Sequence, residues 1–417
     1  MYRHDVPDSA GASCGALSQL KAGKRIVVCG AGDWVRKQYA PAVQHLSETR
    51  ACQVSIVYDS AYIDSWPRLP APERRQYQQS IEENVASFRS SGLRCLDIAA
   101  PADEYELASV TPSVSFVVTP PELHCRIAAQ WLIRAETVVI EKPFDTDLAA
   151  VERMVRRVRD DTSCADVLAF DHYLGRAEPL RALYQTGWLT DFLEGRICHW
   201  NFEMLESSND EEIVSRMPTL QSGIVMDLCA HGMALLSLVG NPATIEVKTV
   251  KAGVYQANPQ LGVATCARNL MPDGMETFAE ATFTFTSAFG EQAQGHVRVG
   301  KFVERSRKLL VIVGGRTGDR VVTADFVDNR LTCSRGHAHT DVGALRGAAV
   351  ATMIHAIVHN EVPSSAGLMR VDEALRVMVA LTRIHEPIAA RVKSGLPLTE
   401  YVAGSSADEI GAELDLL

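Results

Sequence analysis

Short β-branched runs alternate with helix-patterned segments in the first part of the chain. Residues 25–30 (RIVVCG), 54–59 (VSIVYD), 114–119 (VSFVVT) and 137–140 (TVVI) are nearly continuous apolar stretches. Strands apolar on both faces belong in a parallel sheet covered by helices on each side. The segment 122–134 supplies one such helix, and the polar, Arg/Gln/Glu-rich stretch 64–91 reads as surface loop and helix. Beyond residue 145 the texture changes. Residues 148–160 read as a helix and 166–170 as one more buried strand. Longer strands follow at 194–205, 244–254, 277–289, 292–301, 308–314 and 319–326. In 277–289, Phe283 and Phe285 alternate with threonines, so one face is covered and the other polar. Two helices, near 345–360 and 371–392, close the chain. The expected fold is α/β: an N-terminal domain with a parallel sheet, and a C-terminal α/β domain with an open, mostly antiparallel sheet. The expected limits are a loose arm at 1–23, a first domain at 24–145 and a second at 146–417, with no internal repeat.

Composition narrows the function. The 417 residues carry 41 basic and 51 acidic side chains, a formal charge of −10. An acidic chain without a long basic block argues against nucleic acid or an anionic membrane as the main partner. The longest uncharged stretch, 228–245, is broken by His231, Gly232, Gly240 and Pro242 and reads as a buried helix with a turn. No secretory pattern opens the sequence. The ten cysteines are scattered without a CxxC, as expected of reduced thiols in a cytoplasm.

Gly30-Ala31-Gly32 follows the first strand and opens a helix. Glycines there let backbone N–H groups approach a pyrophosphate at a helix N-terminus. The third position of the G-x-G-x-x-G pattern holds Val35. Asp59 ends the second strand, where its carboxylate can accept from both ribose hydroxyls and would repel a 2′-phosphate. NAD is therefore the expected cofactor, with Arg36 leaving NADP possible. Thr119-Pro120-Pro121 and His124 follow the third strand, and Glu141-Lys142-Pro143 follows the fourth. Loops at these strand ends hold the ligand in such sheets.

Gly30-x-Gly32, Asp59, Thr119-Pro120 to His124 and Glu141-Lys142-Pro143 together resemble the Gfo/Idh/MocA family, the relatives of glucose–fructose oxidoreductase and inositol dehydrogenase. The resemblance spans about residues 24–396. It implies a Rossmann domain followed by a C-terminal domain with an open sheet. It also implies oxidation or reduction of sugars and cyclitols with NAD(P). The cofactor side would comprise Gly30, Gly32, Asp33, Trp34, Val35, Asp59, Thr119, Pro120, His124, Glu141 and Lys142. A second likeness overlaps: EKPFDTDL (141–148) and FDHYLGR (170–176) are similar to the signatures EKPFG-x-DL and IDHYLGK of glucose-6-phosphate dehydrogenases. Arg176 stands where that family has lysine, keeping charge but not geometry. This likeness implies that Asp171, His172, Tyr173 and Arg176 line the substrate side, and it suggests a phosphate-bearing substrate.

Asp227 and His231 lie four apart in an expected helix, as in the Asp-x-x-x-His pair of the first family. Removing a secondary-alcohol proton as hydride leaves suits a histidine base. Lys142 would stabilise charge developing on the oxygen. Asp227 is expected as the orienting group, with Asp171 the other carboxylate able to hold the imidazole. A reductase of an oxo-sugar or another C=O or C=N compound would use the same site in reverse, and an NAD(H) sensor would need neither Lys142 nor His231. Cys333, His337 and His339 lack the second half of a metal site, and no metal is expected. A homodimer or homotetramer formed through the C-terminal sheet is expected.

Overall fold

The computed structural model describes residues 24–49, 52–61, 71–108, 111–161, 163–180, 196–206, 223–256, 275–301, 303, 305–314, 319–335, 338–360, 366–402 and 408. The arm expected at 1–23 lies outside the described residues. Among the described residues, sixteen strands form two sheets. The first contains β1 (Lys24–Cys29), β2 (Cys52–Tyr58), β3 (Arg94–Asp97), β4 (Val114–Val117), β5 (Thr137–Glu141) and β6 (Asp166–Phe170). The second contains β7 (Arg196–Glu206), β8 (Gly240–Gln256), β9 (Phe278–Ser287), β10 (Gln292–Lys301), β11 (Ser306–Gly314), β12 (Arg320–Asp325), β13 (Arg330–Arg335) and β14 (Ala338–Ala344). The short β15 (Leu368–Arg370) returns to the first sheet, and β16 (Thr399–Val402) joins the second.

The first sheet runs β15-β6-β5-β4-β1-β2-β3, all parallel except β15, which pairs antiparallel with β6. It is a doubly wound Rossmann sheet, whose strand order reverses between β1 and β4. Side chains of β1 alternate between two cores. Ile26 and Val28 join Val54, Ile56 and Phe116. Val27 and Cys29 join Val117, Val138 and Ile140. This two-sided burial explains the unbroken apolar runs. The sheet takes in β6 and β15, both beyond residue 145.

The second sheet runs β14-β13-β12-β11-β7-β10-β9-β8-β16 and is mostly antiparallel; β7–β10 and β8–β16 are parallel. Phe283 and Phe285 point into its core, whereas Thr282 and Thr284 lie on the opposite, half-buried face. The helix Val371–Lys393 packs against β8, with Val377, Met378, Leu381 and Ile384 buried. The stretch 334–341 (SRGHAHTD), whose polar composition suggests an exposed loop, is instead part of the hairpin β13–β14. Residues 336–337 of it lie outside the described residues. Polar side chains there satisfy an edge hairpin as well as a loop, so the pattern could not separate the two.

Gly30 shows why glycine is required after β1. Its φ is +127°, and a Cβ would stand 2.3 Å from the Val118 carbonyl oxygen. Its N–H bonds the Val57 carbonyl at 2.8 Å, so the backbone has little room to move. Gly30→Ala should cost about 3 kcal/mol or more from backbone strain and overpacking together. A fall in the urea midpoint measures it; an unchanged midpoint would mean the β1–β4 approach is looser than drawn.

Candidate active site

At the nucleotide end, Gly30 and Gly32 turn the chain into a helical segment whose backbone starts at Asp33. Among the described residues, chain neighbours aside, the nearest heavy atom to a Cβ placed on Gly32 is the Tyr77 hydroxyl, at 3.8 Å. The Asn84 amide donates to the Ala31 carbonyl at 3.0 Å and fixes the turn. Thr119, at the end of β4, has a buried hydroxyl without a hydrogen-bond partner among the described residues. Asp59 directly follows β2. Tight turn, uncovered glycine, strand-end carboxylate and waiting hydroxyl fit a dinucleotide. Not every candidate faces that crevice. Val35 is fully buried in the core. The Asp33 carboxylate is held by Arg36 at 3.3 Å and Asn84 at 3.4 Å. Pro120 leads into the turn Pro121–Leu123. His124 is buried, with Nδ1 2.8 Å from the Pro143 carbonyl and Nε2 2.8 Å from the Thr119 carbonyl. Its ring therefore ties two strand-end loops together instead of reaching a cofactor. Burial lowers its pKa, against the pull of those two carbonyls.

The stretch after β5 distributes its side chains to separate tasks. Glu141 is buried and accepts from Trp34 Nε1 at 2.9 Å and the Tyr39 hydroxyl at 2.8 Å. Lys142 reaches across to the other domain: its Nζ donates to Asp227 Oδ1 at 2.8 Å and to the Asp227 carbonyl at 2.9 Å. Phe144 enters the core. Asp145 accepts the N–H groups of Cys125, Thr146 and Asp147. Asp147 caps the helix Leu148–Asp160 through Ala149 N–H.

After β6, Asp171 serves two structures at once. Its Oδ1 caps the short helix His172–Arg176 by accepting from Tyr173 and Leu174 N–H. Its Oδ2 lies 2.7 Å from His231 Nδ1. Both partners are almost fully buried. Burial alone would raise the Asp171 pKa, but His231 and the backbone donors hold it well below the carboxylate range. Burial pulls His231 below its ordinary value against the opposing attraction of Asp171. The bond to ionised Asp171 makes Nδ1 the protonated nitrogen and leaves Nε2 as the basic one. His172 stands edge-on to His231, ring centroids 4.7 Å apart, and burial followed by repulsion from His231 keeps it neutral. Tyr173 is buried beneath His231 at 4.6 Å. Arg176 stacks over Tyr173 and Phe326 and donates to the Phe326 carbonyl at 2.6 Å.

Asp227 and His231 share a helix but not a role. The helix begins with a π-turn, Val225–Cys229, and continues as Ala230–Leu236. Asp227 turns to lysines and His231 to Asp171, so the expectation that Asp227 orients the imidazole is corrected: Asp171 does. Spacing alone assumed an ideal α-helical face, which the π-turn breaks. Asp227 is shared by Lys142 and by Lys301, at 3.3 Å. Burial opposes its ionisation, but the two ammoniums hold its pKa far below the usual range. Lys301 is buried and pairs with Glu206 at 2.6 Å, which also accepts from Arg307 at 2.9 Å. Sequence reading missed Lys301, Glu206 and Arg307. Lys301 and Glu206 are direct partners where β10 pairs with β7, a register no local motif announces. Lys301→Met should lower stability by about 3–5 kcal/mol, because it leaves buried carboxylates short of a cation; a chemical denaturation curve checks it.

Glu276 was also unforeseen. Its buried carboxylate accepts Val225 N–H at 3.1 Å and caps the helix bearing Asp227 and His231. Gly223 has φ +78°, and its missing Cβ leaves room for that carboxylate.

Among the described residues, no helix is long and apolar enough to cross a membrane and no group of three metal-ligating side chains converges. Eight cysteines are described, and all are free thiols.

Three solved structures share this architecture at low sequence identity. UDP-N-acetylglucosamine 3-dehydrogenase GnnA from Acidithiobacillus ferrooxidans is 20% identical, with 88% of this chain and 98% of that chain covered at a TM-score of 0.58. Glucose-6-phosphate 1-dehydrogenase from Mycobacterium avium is 18% identical, with 92% and 94% covered and a TM-score of 0.57. KijD10, a 3-ketoreductase from Actinomadura kijaniata in complex with TDP-benzene and NADP, is 14% identical, with 91% and 99% covered and a TM-score of 0.58. At these identities the likeness establishes the fold. No curated protein matches the sequence. Residues 24–167 match the family GFO_IDH_MocA, described as an oxidoreductase family with an NAD-binding Rossmann fold. Over residues 24–167 the chain is thus similar to the NAD-binding Rossmann domain of the Gfo/Idh/MocA oxidoreductase family.

Proposed function

We propose that this chain transfers hydride between NAD(P) and a carbinol or carbonyl carbon of a sugar, sugar phosphate or cyclitol. The observation that carries the reading is the meeting of two polar pairs from both domains: His231 with Asp171, and Lys142 with Asp227. When bound, the nicotinamide ring supplies a carbon that accepts or gives up hydride. His231 Nε2 takes the hydroxyl proton in oxidation and returns it in reduction. Asp171 fixes the tautomer and balances the imidazolium. Lys142 places positive charge beside the oxygen as it becomes alkoxide-like. The residues Gly30, Gly32, Asp59 and Thr119 hold the dinucleotide, with Asp59 favouring NAD.

The Arg176 guanidinium is engaged with Phe326, which weakens the reading of Arg176 as a phosphate ligand. That, together with the fold shared with a UDP-sugar dehydrogenase and a ketoreductase crystallised with a TDP compound, supports testing nucleotide sugars and their oxo forms beside free sugars. The reductive direction is therefore the second reading. The polar outer face of the second sheet, with Thr282, Thr284 and His296, is the surface through which a homodimer or homotetramer would form. The deciding assay follows reduced-nicotinamide absorbance with NAD and NADP against sugars, sugar phosphates, nucleotide sugars and inositols, and with NADH and NADPH against oxo-sugars. Turnover in any class supports the reading. Tight nucleotide binding with no turnover anywhere would overturn it in favour of a sensor.

A further inference from the structure

Glu141 ends β5 beside Lys142, yet its carboxylate faces the other way, into the first domain. Three donors converge on it. Oε1 takes the indole N–H of Trp34 at 2.9 Å and the phenol of Tyr39 at 2.8 Å; Oε2 takes the Lys142 backbone N–H at 3.2 Å. Trp34 and Tyr39 are five residues apart, and in an α-helix such residues diverge. Here Trp34 directly precedes, and Tyr39 ends, the π-turn Val35–Tyr39, in which Ala40 N–H bonds Val35 O, an i to i+5 closure. That closure brings positions five apart towards one side, so both side chains can reach one oxygen. The π-turn thus has a structural consequence: the helix that follows the dinucleotide turn is fastened to the strand end that carries Lys142.

Trp34 is the part of this fastening that faces outward. It is the second residue of the helical segment that follows the Gly30–Gly32 turn, and its ring centroid lies 5.1 Å from that of His172, which stands edge-on to His231. The indole is therefore a wall between the nucleotide turn and the His231–Asp171 pair. We propose that Glu141 is a positioning residue whose ionised carboxylate holds Trp34 as this wall, so that nucleotide binding is linked to the protonation of Glu141. The proposal rests on the nucleotide site lying at the Gly30–Gly32 turn.

The chemistry of the carboxyl makes the link directional. Ionised, it accepts from all three donors. Protonated, it has an O–H to donate, so either the Tyr39 hydroxyl reverses to accept it or an N–H donor gives way, and the three-donor arrangement is lost in both cases. Around it stand Lys142 and the phenol of Tyr39, with Asp171 as the other nearby carboxylate. Burial lifts its pKa to about 7; Trp34, Tyr39 and Lys142 pull downward and Asp171 pushes up. The ionised, fully bonded form therefore gains population as pH rises through neutrality, and with it the fixed position of Trp34.

The experiment uses the full chain and needs no substrate. Emission of Trp34, taken as wild type minus Trp34→Phe, is recorded from pH 6 to pH 8. NADH and NADPH affinities are measured at both ends by nucleotide fluorescence. The expected result is a Trp34 emission change centred near neutral pH that Glu141→Gln abolishes. Nucleotide affinity should be about threefold or more higher at pH 8 than at pH 6 in the wild type, and level in both Glu141→Gln and Trp34→Phe. An emission that stays flat in the wild type, or titrates equally in Glu141→Gln, overturns the positioning role. Emission that titrates as expected while neither nucleotide binds would keep the Glu141–Trp34 tie, and would overturn both its link to the nucleotide and the nucleotide assignment of the turn.

Discussion

His231→Asn should lower turnover by about 10²–10⁴-fold while leaving nucleotide affinity unchanged. The substituted amide can still donate towards Asp171 but has no basic nitrogen in place of Nε2. The substitution therefore tests proton transfer more than packing. Asp171→Asn should fall by a comparable factor for a different reason. An amide in place of Asp171 no longer demands a protonated Nδ1, so the basic nitrogen can turn inward. It also no longer balances an imidazolium. The pH profile gives a second check. Burial holds His231 below its ordinary pKa, so the neutral, proton-accepting form persists to lower pH than a free histidine would allow. At saturating nucleotide, oxidation should stay level above about pH 6.5 and decline only on the acid side. Near-normal turnover in His231→Asn, with the same acid limb, would remove His231 from the reaction.

Much of this site was legible because local sequence carries local geometry. Two-sided apolar runs announced the parallel sheet, and Gly30 announced a turn that admits no Cβ. The order Asp171-His172-Tyr173-Leu174-Gly175 was readable as one unit, and its parts prove to be a cap, a histidine neighbour, a floor and a close approach. The close approach excludes a Cβ on Gly367, φ +79°, where it would stand 2.7 Å from both the Gly175 Cα and the Asp171 carbonyl oxygen. What stayed hidden depends on elements far apart in sequence. Lys301 lies beside Glu206 only because β10 pairs with β7. Glu276 reaches the helix start only because the fold lays the residues just before β9 against Val225, 51 positions earlier in the chain. The role of Asp227 was misassigned because helical spacing was taken as ideal, and a π-turn of five residues, Val225–Cys229, redirects it. Glu141 and His124 were assigned to the cofactor because they sit in strand-end loops. Their hydrogen bonds run to the protein itself, a distinction composition cannot draw. Buried polar groups need partners, but sequence does not say which partners the fold will bring.

Lys142→Met should leave a folded protein that binds nucleotide and has lost about 10²–10³-fold in turnover. The ammonium has three N–H donors. Two are used on Asp227, at its carbonyl and at Oδ1. The third is the one a substrate oxygen can use, and it is held in direction by the other two. Methionine keeps the length of the stem and removes all three. Asp227 is not stranded by the change, because Lys301 still approaches its Oδ2. The stability loss should therefore be small beside that of Lys301→Met, where the cation removed is buried between Glu206 and Asp227. The two lysines share one carboxylate, yet their substitutions should separate cleanly: turnover without much stability at Lys142, stability at Lys301. Lys142→Arg should not restore the rate, since a planar guanidinium cannot direct donors as a compact ammonium does. Equal losses of stability in both methionine variants, with turnover intact in Lys142→Met, would make Lys142 one more member of a structural ion-pair chain and move the stabilising charge elsewhere in the site.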